Sequence, residues 1–491
     1  MMMEKFPGCK SLILASMCGA CLASSALAQS KWVDWTDETA KRLQLSNVPL
    51  NDDQEKDITV GDLDNDGDTD LLIVRKIPFS SPGARLNVLL MNEGGVLVDR
   101  TESLIPGFLT PDDSRDVLAF DCNNDGWLDI IVANTFSDDP RLYINQGRDE
   151  DGTFLGWVES INWFSPPFSS GPKFCAVYDG DIDNDGDNDL YFSDYDSPLE
   201  DRLLINDGAG HFTDETAKRF PTGINNSVFG TASFIHDFNL DGWPDIIKAS
   251  GAFEPLKLLI NDGKGIFLTA QVLPSTTVYM VRTADFDNDG RRDFYVVSDG
   301  QDYLLMNNST NGDGTINVSQ RDVTNSNKTT GFGGNVKVAD LDRDGFLEVG
   351  VADVDVDIPG CIRRFAVLRN TMGDTGSIGL LDPNNPTNMS WNTQGVHDFA
   401  WIDIDGDQFM DLFQGTCTGY KVFMMQPFEL PTPGDTDGDG DVDLLDFAAF
   451  VDCVTGPGGG VPQGCEQLDF EGDDDVDFND FGGFQLAFTG G

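Results

Sequence analysis

The chain has 491 residues, enough for two or three domains or for one large repeat array. It carries 84 Asp+Glu against 31 Lys+Arg, a formal net charge of −53, and only three His. That charge opposes binding to a nucleic-acid backbone or an anionic membrane surface, and 40% hydrophobic residues with 34 Phe argue against a disordered chain.

The N-terminus reads as an export signal. Lys5 and Lys10 precede an apolar, small-residue stretch, and Ala26-Leu27-Ala28 gives a small-x-small cleavage pattern. Residues 1–28 are therefore predicted to be removed, leaving a product that is secreted or held at the cell surface. A lipid anchor at Cys21 is a poorer match, because Cys18 stands three positions before it. No later apolar run reaches the roughly 20 residues that cross a bilayer, so no membrane span is expected.

From residue 62 onward one phrase recurs, D-x-[DN]-x-D-G-x-x-[DE] followed by an apolar run. The copies begin at Asp62, Asp121, Asp181, Asp237, Asp285, Asp340 and Asp403, spaced 59, 60, 56, 48, 55 and 63 residues apart. Between them runs a second phrase, an apolar strand ending in a Gly turn, as in LLINDGAGHF at 203–212 and LLINDGKGIF at 258–267. Each unit supplies about four short strands, which predicts an all-β fold, a seven-bladed β-propeller over 29–428. The last unit lacks its fourth strand, and the missing piece lies at the other end. TDETAKR at 36–42 is identical to 213–219, so the N-terminal strand is expected to complete the last blade. An open solenoid, the alternative, needs no such matching ends.

Alternating carboxylates around a Gly turn place hard oxygen ligands on one side of a tight loop, a donor set that selects calcium. The expected ligands are Asp62, Asp64, Asp66 and Asp70; Asp121, Asn123, Asp125 and Asp129; Asp181, Asp183, Asp185 and Asp189; Asp237, Asn239, Asp241 and Asp245. They continue with Asp285, Asp287, Asp289 and Asp293; Asp340, Asp342, Asp344 and Glu348; Asp403, Asp405, Asp407 and Asp411. Asn123 and Asn239 are neutral donors expected to weaken their sites. Gln408 stands where Gly belongs in the seventh loop, which is expected to be distorted or empty. These in-phase motifs resemble the FG-GAP/VCBS repeats, whose members include the integrin α-subunit propeller. The resemblance covers roughly 31–426 and implies seven blades with structural calcium in hairpins on one face.

Beyond a Pro-rich linker at 429–434 the period changes. DTDGDGDVDLLD at 435–446 places Asp435, Asp437, Asp439, Asp443 and Asp446 at EF-hand-type spacing. DFEGDDDVDFND at 469–480 repeats it with Asp469, Glu471, Asp473, Asp477 and Asp480, and each copy leads into a short amphipathic helix. This duplicated loop and helix over 435–491 resembles a type I dockerin, which implies a cohesin-like partner. Leu444-Leu445 and Phe478-Asn479 depart from the small hydroxyl pairs usual at the recognition positions. A calcium-stapled plug without a partner is the alternative. In all, up to nine calcium sites are expected.

Six cysteines remain after cleavage, in an oxidising compartment. Cys453 and Cys465 are the expected bridge of the C-terminal module, and Cys361 with Cys417 a second, since both fall on the face opposite the acidic loops. Cys122 and Cys175 are separated by roughly 20 Å along the blade, too far to pair. The same opposite face receives Trp163, Phe164 and Phe168, readable as a sugar-stacking platform or as packing between blades. No G-x-S-x-G, H-E-x-x-H or P-loop is present. The sequence therefore favours a non-catalytic, calcium-binding adhesion or scaffold module that binds an extracellular polysaccharide or protein and is attached by its tail. The alternative is a polysaccharide lyase or glycoside hydrolase on the same scaffold.

Overall fold

The computed structural model describes residues 33–426 apart from 53, 78–82, 137–138, 166–167, 169–172, 196–200, 227–229, 252–253, 276–277, 311–313, 324–329, 333, 354–363, 373–379 and 382–394. It also describes 442–487 apart from 443, 457–458, 463–464, 466–467 and 471–474. Within these residues the strands form seven separate sheets of four or five strands. Each sheet is one blade of a propeller, numbered one to seven from the repeat beginning at Asp62. Blade one shows the plan as an antiparallel meander of Glu55–Gly61, Asp70–Lys76, Val88–Asn92 and Leu97–Asp99. The acidic loop joins its first two strands.

The first strand of every blade is innermost. These strands are Glu55–Gly61, Ser114–Phe120, Phe174–Gly180, Gly230–His236, Val278–Ala284, Val336–Ala339 and Val396–Ile402. Each touches the next, and the last touches the first, so the ring is closed. In five of them a register shift leaves one extra residue, at Arg115, Cys175, Thr231, Tyr279 and His397, all at the strand end away from the acidic loop. Such bulges sharpen local twist where a sheet edge meets the axis.

Closure occurs where the matching chain ends predicted it. Trp35–Asp37 pairs antiparallel with Gly419–Met425, setting Trp35 opposite Met425 and Asp37 opposite Phe423. Trp35 stacks on Trp401 of the inner strand with ring centroids 5.7 Å apart, and its indole N–H donates to the Met410 carbonyl at 3.0 Å.

The apolar runs behind the acidic loops are the second strands, and every residue of Asp70–Lys76 and of Asp129–Asn134 is buried. Both faces of a blade are covered by its neighbours, which is why these strands read as unbroken runs rather than alternating. Between blades one and two, Leu72, Val74 and Leu89 interlock with Val117, Ile130 and Val132. Each such aliphatic side chain contributes about 1.5–3 kcal/mol.

Three blades carry an addition that the repeat did not predict, one of them Thr330–Phe332, which pairs antiparallel with the end of Asp293–Gln301 in blade five. Leu43–Gln44 adds parallel to Leu97–Asp99 in blade one, and Phe164–Ser165 adds parallel to Phe212–Asp214 in blade three. Beyond the propeller, Leu444–Cys453 and Phe478–Ala487 are helices whose Phe450 and Phe484 rings meet at 5.1 Å over a small core with Val442, Leu468 and Val476. Cys453 and Cys465 form a disulfide there. Cys417 is also disulfide-bonded, while Cys361 lies outside the described residues. Cys122 and Cys175 are buried free thiols. Among the described residues no helix is long and apolar enough to cross a membrane.

Candidate functional site

All seven acidic loops share one backbone path. The first aspartate folds the loop around its own carboxylate: Asp62 accepts the Asp66 N–H on Oδ1 and the Gly67 N–H on Oδ2, both at 3.0 Å. Asp181, Asp237 and Asp285 repeat this with the N–H groups four and five residues on. The path needs left-handed backbone at two points. The fourth position takes it with Asn65, Asn124, Asn184, Leu240, Asn288 and Arg343, and the sixth with glycine, as at Gly67 (φ 97°). The seventh loop departs from expectation here. Gly406 occupies the fourth position and Gln408 adopts φ 71° at the sixth, yet Asp403 still gathers the Gly406, Asp407 and Gln408 N–H groups. The glycine is displaced by two residues and the loop keeps its shape, at about 1–2 kcal/mol of strain on Gln408.

The ninth-position acid ties the loop to its blade. Asp70 accepts the Leu63 N–H at 3.0 Å and the Asn92 N–H at 2.8 Å; Asp189, Asp293, Glu348 and Asp411 make the same two contacts with their own loops and third strands. Burial pushes the Asp70, Asp189, Asp245, Asp293 and Asp411 carboxyls up to about 7, and Glu348 up to about 9, with neighbouring loop carboxylates adding to the rise.

The third-position aspartates face the loop centre in a way the protein alone does not satisfy. Asp64, Asp183, Asp287 and Asp342 each keep Oδ1 buried with no hydrogen-bond partner, and so does Asp340 at a first position. Oxygens of Asp62, Asp64 and Asp66 lie within 4.8 Å of one another, as do those of Asp181, Asp183 and Asp189, of Asp285, Asp287 and Asp289, of Asp340, Asp342 and Asp344, and of Asp403, Asp405 and Asp411. An all-oxygen set with orphaned, buried acceptors fits a hard divalent cation. In the two loops with Asn at this position, Asn123 and Asn239 turn Oδ1 to the Asp125 and Asp241 N–H groups at 3.1 and 3.0 Å.

The other oxygen of the third-position aspartate is held by arginine in four loops. The pairs are Arg148–Asp64 (3.4 Å), Arg219–Asp183 (2.6 Å), Arg369–Asp342 (2.6 Å) and Arg42–Asp405 (2.9 Å). This accounts for the duplicated TDETAKR. In both copies the glutamate braces the arginine Nε (Glu38–Arg42 2.9 Å, Glu215–Arg219 2.7 Å), and the guanidinium bridges one blade's loop to the Gly95 or Gly265 carbonyl of the next. Glycine is required at that approach: a Cβ on Gly95 would lie 2.7 Å from Arg42 Nη1.

The asparagine of the LLIN phrase is a second inter-blade tie. Its side-chain amide donates to the second-position carbonyl of the preceding blade's loop: Asn92 to Ile404, Asn145 to Leu63, Asn206 to Cys122, Asn261 to Ile182, Asn307 to Phe238 and Asn370 to Phe286, at 2.8–3.1 Å. The sequence showed this asparagine recurring but not its partner, which sits 69–84 residues upstream in five cases and 312 residues downstream for Asn92. Residues lining the axis were missed altogether. Five positions before the loops stand Asp57, Asp116 and Asp398, where blades three, four and five have Ala176, Ala232 and Met280.

Trp163 is 4% exposed, meets Phe164 at 4.6 Å and Phe212 at 5.7 Å, and belongs with the half-buried Phe164 and Phe168 to the core between blades two and three. The structure thus corrects the sugar-platform reading: these rings are spent on each other. In the C-terminal module Asp480 accepts the Phe470 and Asp477 N–H groups at 2.7 and 2.6 Å. Asp446 is buried and Asp469 borders the second loop. Asp435, Asp437, Asp439, Asp443, Glu471 and Asp473 lie outside the described residues.

Two solved structures and one family model are similar to this chain. A structure of an Agrocybe aegerita lectin, reporting specific recognition of non-reducing terminal N-acetylglucosamine, is similar at 16% identity and TM-score 0.41, covering 67% of this chain and 80% of that one. A crystal structure of BBS1N in complex with ARL6DN is similar at 12% identity and TM-score 0.40, covering 81% and 98%. No curated protein matches. The family model described as an FG-GAP-like repeat matches residues 62–132, 121–192, 181–247, 237–296 and 285–351, each span running from one acidic loop past the next. With five matched repeats spanning more than half its length, set in a seven-bladed ring, the chain belongs to the FG-GAP-like repeat family.

Proposed function

We propose that this is an exported, non-catalytic propeller whose seven acidic loops hold structural calcium and whose surface binds an extracellular polysaccharide or protein. The dockerin-like tail attaches it to a partner, with Asp435–Asp446 and Asp469–Asp480 as two further calcium loops. The observation that carries the metal reading is the set of buried, partnerless Oδ1 atoms on Asp64, Asp183, Asp287 and Asp342. A cation in each loop would supply their missing partner, hold the ninth-position acids ionised at neutral pH, and offset part of the −53 charge. Carboxylate and amide oxygens without sulfur or imidazole favour calcium over transition metals.

Counting bound ions by native mass spectrometry, and melting the protein with calcium or EDTA, tests the metal. Seven or more calcium ions per chain and a higher melting temperature with calcium are expected; an unchanged melt would overturn it. Glycan-array binding combined with a reducing-end and unsaturated-product assay tests the function. Binding without product is expected, whereas sugar release or unsaturated ends would favour a lyase or hydrolase instead.

A further inference from the structure

The seven inner strands enclose an axial cavity of about 460 Å³ whose wall differs in charge from the rest of the molecule. The chain as a whole has nearly three acidic residues for each basic one. Here the lining holds five bases, Lys76, Arg115, Arg282, Arg292 and Lys337, against three acids, Asp57, Asp116 and Asp179. Among the described residues two of the bases form no ion pair, although the Asp398 carboxylate acts on Arg282 at longer range. Arg282 makes no hydrogen bond; its guanidinium sits over the Phe234 ring, 5.4 Å from the centroid, and its Nε is buried and unpartnered. Arg292 donates to the Thr283 carbonyl at 3.2 Å and forms no ion pair. The two guanidinium groups are close enough to repel each other. The half-buried Arg282 is short of acceptors, and the exposed Arg292 stands beside it with one carbonyl partner among the described residues.

The facing wall is polar in a different way. Asp116 accepts the Val177 N–H at 2.7 Å, Asp57 accepts the Asn335 amide at 3.2 Å, and the two carboxyl groups hydrogen-bond to each other, which requires one of them to hold a proton. With that proton spent inside the pair, the two carboxyls offer acceptor oxygens to a ligand's hydroxyl groups. Behind it Lys337 is held by Asp398 at 3.0 Å and is not available.

We propose that the axial cavity binds one small hydroxylated carboxylate of sugar-acid size, its carboxylate on Arg282 and Arg292 and its hydroxyls on Asp57 and Asp116. Planar guanidinium pairs match a carboxylate in two-point fashion, and the cavity volume is that of a small-molecule site. The inference stands apart from the reading of the outer surface, since a protein or polymer bound there leaves this cavity as it is.

The test is isothermal titration of the full mature chain in saturating calcium with galacturonate and gluconate, using galactose, acetate and inorganic phosphate as comparators. One site per chain is expected, with the sugar acids preferred to every comparator. Arg282→Gln should weaken binding about tenfold or more, and Asp57→Asn several-fold. Arg292→Gln provides an independent variant should Arg282→Gln fail to fold, and melting temperatures identify a folding defect. Absence of binding by either sugar acid, unchanged affinity in the folded arginine variants, or equal binding of acetate or phosphate overturns the proposal.

Discussion

Truncating Trp35 tests the closure of the ring. Its side chain is 1% exposed, stacks on Trp401 and reaches the Met410 carbonyl inside the seventh acidic loop, so it joins strand, blade and loop at once. Trp35→Ala removes a fully buried indole and leaves a cavity, a change that costs about 3–5 kcal/mol. Trp35→Phe keeps a ring against Trp401 but leaves the Met410 carbonyl without its donor, which should cost about 1–3 kcal/mol. Urea denaturation in saturating calcium, read by circular dichroism, gives both values provided the slope is unchanged. Leu268→Ala, at a half-exposed position on blade four, serves as the control and should stay within about 0.5 kcal/mol. A Trp35→Ala loss below about 1 kcal/mol would mean that the N-terminal strand is an ornament on a ring that stands without it.

Other positions give equally direct expectations. Lys248 and Asp201 are both fully buried and paired, with Tyr191 donating to the same carboxylate at 2.7 Å. Lys248→Met should lose about 3–5 kcal/mol, whereas Lys248→Met with Asp201→Leu should recover most of it in the same denaturation assay. Arg42→Ala and Arg219→Ala remove equivalent clamps from the duplicated heptapeptide. Their losses should be about 1–3 kcal/mol and agree within about 0.5 kcal/mol, and a larger disagreement refutes the shared role. Burial and the adjacent Asp116 raise the Asp57 carboxyl to about 8, and burial raises Asp398 to about 7. Native protein then holds protons that the unfolded chain has released, so this pair's contribution to stability is present below about pH 4 and falls as pH rises toward 8. Asp57→Asn should flatten that fall in denaturation series at pH 5, 7 and 8.5 with calcium held saturating; an unaltered slope refutes it.

The acidic loops were legible in the sequence because their chemistry is local. Nine residues contain the first aspartate, the N–H groups it gathers and the glycine that permits the turn. Closure was legible for a different reason, since duplicated residues at 36–42 and 213–219 perform duplicated work. Contacts between blades were not legible. Asn145 lies 82 residues from the Leu63 carbonyl it reaches, and nothing in LYINQG names that partner. The shape of the seventh loop was not legible from Gln408, because the motif fixes glycine at one position while the backbone requires left-handed geometry at two, and Gly406 serves the other. Trp163, Phe164 and Phe168 could be read as a surface platform or, as aromatics at blade junctions more often are, as packing between blades, and the burial of Trp163 places the group with the core. The axial arginines escaped notice because their meaning lies in being opposite one another across a cavity that no linear spacing describes.

The asparagine ties also single out one joint of the ring. Six of the seven junctions have one, including the junction between blades seven and one where the chain ends meet. Between blades six and seven the third-strand position is Met425, which has no amide to offer, and the loops there are linked by an Arg343–Gln408 contact at 3.4 Å. The sixth and seventh spokes of the wheel are thus held by ring packing of Phe365 on Phe399 and Trp401 in place of an amide tie, while the seam of the two termini keeps its own.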